Sequence, residues 1–443
     1  MKNTKKFSIK LRNLKSFRTL EFSPQGLTVI IGANASGKSN LLDSFKILSS
    51  IGKDRNLRSL FGSSEHNPIK IRGSLPQLFR RGSKKVTISI SFKEKFLLPR
   101  RNATQETLNS TTYTITLSTS VGSEINIDEV IEVRSSGKKY KFNARDSYTK
   151  FSEIFNVKTD LHSGQFVIQR TSKLNRAFIE SANQMAQEIE KRVKSNEPLN
   201  DLGPRLESIS NLGVFLFSVN AINDKLNQIN FIEPEPNKMR SYDSLGEDQI
   251  SFDGSKISSA LYSICALGQE GTILSWASRI SNCEFTKIEF DEDINGDIIA
   301  LLREGSGVST PLSSASDGTL RFLAILVKLV QVAENSILFI EEIENGIHPS
   351  RVFTIMEMIR EFSESKKLTC CVTTHSPVSL LYMLKINDLK NTEIIYKDDK
   401  SGESKIYSVN EIENLRNILS NNSITEIFLD GWLEDAIYFS ESK

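Results

Sequence analysis

The chain has 443 residues, 38% of them hydrophobic and 25% charged, the balance of a globular protein with room for two or three compact units. No apolar run approaches the roughly 20 residues needed to cross a bilayer, and the basic start Met1–Lys6 is not followed by the apolar stretch of a secretion signal, so cytoplasmic residence is expected and a membrane partner is not. The net charge of +2 hides a polarity, because residues 1–150 hold 28 Lys and Arg against 11 Asp and Glu; this points either to a nucleic-acid or acidic-partner surface or to neutralisation against the rest of the chain.

Taken in order, Phe7–Leu11 and Thr19–Phe22 read as strands, and the apolar, β-branched run Leu27–Ile31 reads as a buried one. That run delivers Gly32-Ala33-Asn34-Ala35-Ser36-Gly37-Lys38-Ser39-Asn40, after which Leu41–Leu48 has apolar spacing suited to a helix. The pattern G-x-x-x-x-G-K-[ST] between a strand and a helix is a phosphate loop. Its glycines let the backbone wrap an anion, and the following helix aims N–H groups and its positive end at it. The nucleotide-binding candidates are therefore Gly32, Asn34, Ala35, Ser36, Gly37, Lys38, Ser39 and Asn40. Lys38 is expected to reach the β- and γ-phosphates of ATP and the Ser39 hydroxyl to hold Mg²⁺.

A polar stretch from residue 52 to 74 reads as surface loop. Strict alternation follows in Val86–Phe92, in Tyr113–Leu117, and in Ile125, Ile127, Ile131 and Val133, the period of half-buried antiparallel strands and hence of a β-rich lobe. Basic clusters accompany it at Arg80, Arg81, Lys84 and Lys85, at Lys93, Lys95, Arg100 and Arg101, and at Lys138, Lys139 and Lys141. From Thr171 the period changes: Leu174, Phe178, Ala182, Met185, Ile189 and Val193 lie three or four apart, an amphipathic helix that Pro198 and Pro204 end. Leu206–Ile232 returns from it, making a short helical insertion without long heptad arms. Ser255–Ile280 reads as helical, and Glu284–Glu304 as a hairpin turning at Asn295-Gly296.

A second chemical cluster follows. Ser316-Asp317-Gly318 opens an apolar helix, a second anion site that makes sense if it serves a nucleotide held by another copy of the chain. Ile337–Ile340 is an apolar strand ending in Glu341 and Glu342, expected to act as the metal-side carboxylate and as the general base for the attacking water. Leu368–Thr373 is another buried strand, and it brings His375 to the carboxyl end, where it can touch a γ-phosphate. The four cysteines, Cys265, Cys283, Cys370 and Cys371, form no C-x-x-C pair and read as buried free thiols; the four histidines are too scattered for a metal cluster.

The order of these elements resembles the ABC-type ATPases of the RecF, SMC and OLD group, in particular the compact defence-associated ATPases found beside nuclease or Toprim partners in bacterial antiphage operons. Gly32–Ser39 is similar to Walker A, Ser316–Gly318 to the ABC signature, Ile337–Glu342 to Walker B, Glu344–Pro349 to the D-loop and His375 to the switch histidine. The resemblance covers residues 7–60 and 235–380. It implies an α/β fold, an ABC-type P-loop ATPase head with an antiparallel β lobe and a short helical insertion. It also implies a homodimer, or a higher oligomer of dimers, with two ATPs held between one subunit's Walker A and the other's signature, and it adds Asn345 to the nucleotide-binding set. Glu342, His375 and Lys38 are then the catalytic residues, and Ser39 and Glu341 the Mg²⁺ ligands.

Two positions depart from the family. Glu341 stands where aspartate is usual, and Asp317 replaces the first signature glycine, bringing a negative charge towards the γ-phosphate and suggesting slow or partner-gated hydrolysis. Gln77 and Gln165 are both open as the Q-loop glutamine. The expected divisions are lobe I at 1–165, the insertion at 166–234, lobe II at 235–384 and a tail at 385–443, in which Trp432 belongs to a packing piece or a docking element. About 280 residues separate Lys38 from Ser316, far more than in a transporter ATPase, and the 68 residues after His375 are too few for a Toprim domain. The expected function is thus the ATPase subunit of an antiphage defence system controlling a separately encoded effector (nuclease, Toprim or toxin), with RecF-like DNA maintenance as the alternative and DNA as a further candidate partner.

Overall fold

The computed structural model describes residues 7–53, 60–61, 70–100, 103–119, 125–135, 138–155, 166–195, 197–281 and 283–412. In chain order the elements begin with β1 (Phe7–Leu14), β2 (Phe17–Phe22), β3 (Leu27–Ile31) and α1 (Lys38–Gly52). Then come β4 (Lys85–Arg100), β5 (Ala103–Thr119), β6 (Ile125–Ser135), β7 (Lys138–Asn143), α2 (Ala144–Ile154), α3 (Ser172–Lys194), α4 (Gly203–Asn227) and β8 (Ile229–Ile232). The remainder holds α5 (Ile257–Ala266), α6 (Glu270–Ser281), β9 (Phe285–Glu292), β10 (Ile298–Glu304), β11 (Ser309–Pro311), α7 (Asp317–Gln331), β12 (Ile337–Ile340), α8 (Pro349–Ser365), β13 (Thr369–Thr374), α9 (Pro377–Lys385), β14 (Thr392–Lys397) and β15 (Ser404–Ser408).

Described residues within 1–23, 43–62 and 71–227 form one compact unit, and those within 24–42, 63–70 and 228–443 form the other. The first is built on a six-stranded sheet ordered β2-β1-β4-β5-β6-β7, every pair antiparallel. Alternation sorts its side chains. Phe7, Ile9, Leu11, Val86, Ile88, Ile90, Phe92, Tyr113, Ile115, Leu117, Ile131 and Val133 are buried on one face, while Ser and Thr dominate the central strands of the other. Helices α3 and α4 pack as a hairpin around Met185, Leu202 and Ile209, and Gly213 is close enough to Phe178 that a β-carbon there would lie 3.1 Å from its ring.

The second unit carries the sheet β15-β14-β3-β13-β12-β8, in which every pair is parallel except β14–β15. β3 and β12 are buried at every position and β13 at all but its first residue, as strands covered on both faces must be. Their apolar side chains, with those of α5 to α9, make the main core, and β9, β10 and β11 form a small separate sheet. Because β3, β13 and β12 are parallel neighbours, their carboxyl ends share one edge of the sheet, the edge at which open α/β sheets place ligands.

The compact units cut the chain differently from the linear divisions expected at 165, 234 and 384. The helices α3 and α4 count with the antiparallel sheet, and residues expected as tail supply β14, which pairs in parallel with β3 from Thr392↔Val29 to Ile394↔Ile31. The segment expected as helical, Ser255–Ile280, forms two helices separated at Gly268 with φ +73°. Cys370 and Cys371 are buried and free, whereas Cys265 and Cys283 are free but only half-buried. Arg101, His66, His162, Gln165 and Trp432 lie outside the described residues. Among the described residues, no helix is long and apolar enough to cross a membrane.

Candidate nucleotide site

The loop leaving β3 bends back on itself and enters α1 at Lys38. Ala35 and Gly37 adopt positive φ, +64° and +120°, which turns consecutive backbone N–H groups towards one concavity. The Lys38 ammonium donates to the carbonyls of Gly32 at 2.5 Å and Ala33 at 3.0 Å, so it closes the loop on itself. Burial lowers the Lys38 pKa from its usual lysine value, and the negative charges of Glu342 and Glu344 act in the opposite sense. The charges of both carboxylates are thus felt at the P-loop lysine. The hydroxyl of Ser36 is buried without a hydrogen-bond partner among the described residues, and Ser39 and Asn40 occupy the first turn of α1, which has no acidic residue to oppose an anion.

The loop is buttressed from a distant part of the chain. A β-carbon on Gly32 would lie 2.2 Å from the Ile395 carbonyl oxygen of β14. The Ser404 hydroxyl of β15 donates to the Ser36 carbonyl at 2.5 Å.

At the end of β12, Glu341 is buried and its N–H donates to the Ile232 carbonyl at 3.2 Å. Glu342 is turned into the left-handed region with φ +48°, a conformation that costs a non-glycine residue about 1–2 kcal/mol and swings successive carboxylates in different directions. Two contacts hold it there: its N–H donates to Thr373 Oγ1 at 3.0 Å, and the Asn345 amide donates to its Oε2. Asn345, expected on the nucleotide, is thus engaged with the expected base. His375 rests on Glu344, with its backbone N–H donating to Oε1 at 2.7 Å and its Nδ1 2.9 Å from the same oxygen. The second oxygen of Glu344 is buried without a hydrogen-bond partner among the described residues.

The segment similar to the ABC signature opens α7. Ser316 caps α7, its hydroxyl accepting from the Thr319 N–H at 3.2 Å. A β-carbon on Gly318 would come within 2.8 Å of the Gly346 carbonyl oxygen, so only glycine fits against the D-loop. Asp317, the first residue of α7, pairs with Arg240. A cavity of about 270 Å³ adjoins these residues and is also lined by His348 and Arg351.

The residues present suit a nucleotide and a magnesium ion. Orphaned Ser36 Oγ lies in a loop already shaped for phosphate, and Ser39 and Glu341 offer the hard oxygen donors that Mg²⁺ takes in small number alongside phosphate oxygens. The described residues contain no group of three or more His, Cys, Asp or Glu able to hold a metal unaided. Sequence reasoning missed Thr373, Glu344 and Ser404 as site residues. Glu344 stood inside the D-loop motif and could have been read from it. Thr373 and Ser404 carried no local signal. Gln77, one of the two glutamines considered for the Q-loop, uses its side-chain oxygen to accept from the Ser74 N–H at 2.8 Å.

No curated protein matches the chain. Solved structures similar to it include an SMC head domain from Thermotoga maritima, 14% identical, covering 91% of this chain and 98% of that one with a TM-score of 0.39. An SMC head domain with an extended coiled coil bound to the C-terminal domain of ScpA, from Pyrococcus furiosus, is 14% identical over 94% of this chain and 98% of that one, TM-score 0.42. An SMC head domain with a coiled coil and joint from Pyrococcus yayanosii is 10% identical over 90% and 96%, TM-score 0.41. A family described as "AAA domain, putative AbiEii toxin, Type IV TA system" matches residues 27–380, a span from β3 to α9 that includes the phosphate loop, the signature segment, the carboxylate pair and His375. The chain belongs to this family of P-loop ATPase domains.

Proposed function

We propose that this chain binds and hydrolyses ATP as an ABC-type subunit of a bacterial antiphage defence system, dimerising around the nucleotide and controlling a separately encoded effector. The observation that carries the catalytic part is Glu342. It sits on strained backbone at the carboxyl edge of a parallel sheet, fixed by Thr373 and Asn345, with its charge felt at the P-loop lysine. A carboxylate so held can accept the proton of a water attacking the γ-phosphate, while Lys38 leaves the Gly32 and Ala33 carbonyls for phosphate oxygens. His375, whose Nδ1 lies against Glu344, would contact the same phosphate through its other ring nitrogen. Ser39 and Glu341 would hold Mg²⁺, which when bound offsets charge on the β- and γ-phosphates.

The defence assignment is supported by the family's description, "AAA domain, putative AbiEii toxin, Type IV TA system", and by the short helical hairpin in place of long arms. A role in DNA maintenance is the second reading, and one observation favours it. The outer face of the antiparallel sheet lines up Lys93, Arg134 and Lys139 through the register pairs Lys93↔Ser110, Ser110↔Arg134 and Arg134↔Lys139.

The test is Glu342→Gln, which keeps the shape and removes the base. This variant is expected to lose turnover and to accumulate as an ATP-bound dimer in size-exclusion chromatography with light scattering; a monomer at saturating ATP rejects the dimeric reading. Lys38→Ala is expected to lose nucleotide binding and cellular protection together, and full protection by that variant separates the ATPase from the biology.

A further inference from the structure

Asp317 poses an electrostatic problem that the proposed ATP-bound dimer has to solve, and the structure contains its solution within the same unit. A carboxylate at the first position of α7 is favourable for the isolated helix, because it faces the positive end of the helix dipole. The same charge cancels the attraction that this helix end would offer to a triphosphate. Arg240 answers it. Its Nη2 lies 2.7 Å from Asp317 Oδ1 and also donates to the Ala315 carbonyl at 2.9 Å, so one guanidinium grips the chain on both sides of the Ser316 cap. Arg240 comes from beyond β8, 77 residues away in sequence, and its side chain is 28% exposed against 62% for Asp317. The arginine is thus the better-anchored partner, and the aspartate is the one that projects.

We propose that Arg240 is a positioning residue for the signature segment: it neutralises Asp317, so that the N-terminus of α7 can receive the triphosphate held by a second copy of the chain. This rests on the dimeric reading above and specifies the charge state that the reading needs. With Arg240 in place the pair sums to zero and the helix end dominates. Without it the signature presents a net negative charge to an anion. With Arg240 but a glycine at position 317 the segment gains a positive charge.

The experiment measures the ATP concentration that half-converts the Glu342→Gln chain to dimer, in that background alone and with Arg240→Ala, Asp317→Gly and both. Two charges a few ångströms apart at a partly exposed site are expected to change that concentration about tenfold. Arg240→Ala should therefore raise it about tenfold, Asp317→Gly should lower it, and the double variant should return to within about twofold of the parent, the signature of two groups acting on one quantity. Arg240→Lys, which keeps the charge, should recover most of the loss. Dimerisation of Arg240→Ala at the parent's ATP concentration overturns the proposal. So does a double variant no better than Arg240→Ala alone, since that result would mean Arg240 only holds the fold. If the Glu342→Gln parent itself stays monomeric at saturating ATP, the dimeric reading fails and takes this proposal with it; a parent that dimerises makes the Arg240 comparison decisive by itself.

Discussion

Gly32 and Ala35 stand three residues apart in one loop and are constrained in opposite ways. Gly32 has an ordinary φ, so any residue could adopt its backbone, but a single added carbon would meet the Ile395 carbonyl oxygen at 2.2 Å. Ala35 holds φ +64°, which favours glycine. Gly32→Ala is therefore expected to force β14 and the loop apart, costing about 3 kcal/mol as overpacking does and abolishing ATP binding, as read by thermal melting and by a fluorescent nucleotide. Ala35→Gly relieves conformational strain and should bind nucleotide as the parent does. The motif marks both positions as phosphate-binding candidates, but it could not distinguish them. Its glycine at position 32 is required by a strand more than 350 residues further along, and no local pattern carries that information.

Among the secondary-structure elements, β6 carries a buried carboxylate that the alternating pattern did not anticipate. Glu129 takes an inward position and is 3% exposed. Its oxygens accept from the Tyr113 hydroxyl at 2.6 Å and the Val167 N–H at 2.5 Å. Burial pushes its pKa up to about 7, against the pull of these hydrogen bonds and of Arg145. The native state therefore binds this proton more tightly than the unfolded chain. The stabilisation is fully present below the ordinary glutamate pKa and is lost as pH rises through about 7. A tenfold difference in proton affinity is worth about 1.4 kcal/mol, so roughly 3 kcal/mol is at stake. Melting temperature is expected to fall between pH 5 and pH 8 and to become flatter in Glu129→Gln, which can still accept from Val167 and donate to Tyr113. An unchanged slope in that variant would assign the pH dependence elsewhere. The strands themselves were legible because period two is a local property, and so were the amphipathic α3 and the hairpin β9–β10. The parallel pairing of β14 with β3 was not, since β14 is short and its partner lies far upstream.

For the whole molecule, the question is where the basic first third directs its charge. On the outer face of the antiparallel sheet, Lys10, Arg12, Lys85, Lys93, Arg134, Lys139 and Lys141 outnumber Glu21, Asp128 and Glu132. Between them runs a ladder of hydroxyls that includes the pairs Ser89–Thr114 and Ser91–Thr112, both at 2.9 Å. A polar, cationic sheet face of this kind should bind double-stranded DNA with an affinity that falls steeply with salt. In fluorescence anisotropy, replacing Lys93, Arg134 and Lys139 together should weaken binding and flatten the salt slope by about three. No binding at low ionic strength would assign the charge to a protein partner or to contacts within the chain.

The sequence by itself set out the candidate stations and their local structure: the phosphate loop after a buried strand, the signature-like serine at a helix cap, the paired carboxylates and the histidine at strand ends. Each is written within a dozen consecutive residues as spacing, polarity and turn preference. Only the tertiary structure decided what holds those segments in place. The parallel order of β3, β13 and β12 brings the phosphate loop, the carboxylate pair and His375 to one edge. Ser404 braces Ser36 across 368 residues, and Arg240 pairs with Asp317 across 77. The physical reason is range: backbone period and capping act between near neighbours in sequence, whereas steric fit and charge compensation act between neighbours in space, which the fold alone selects.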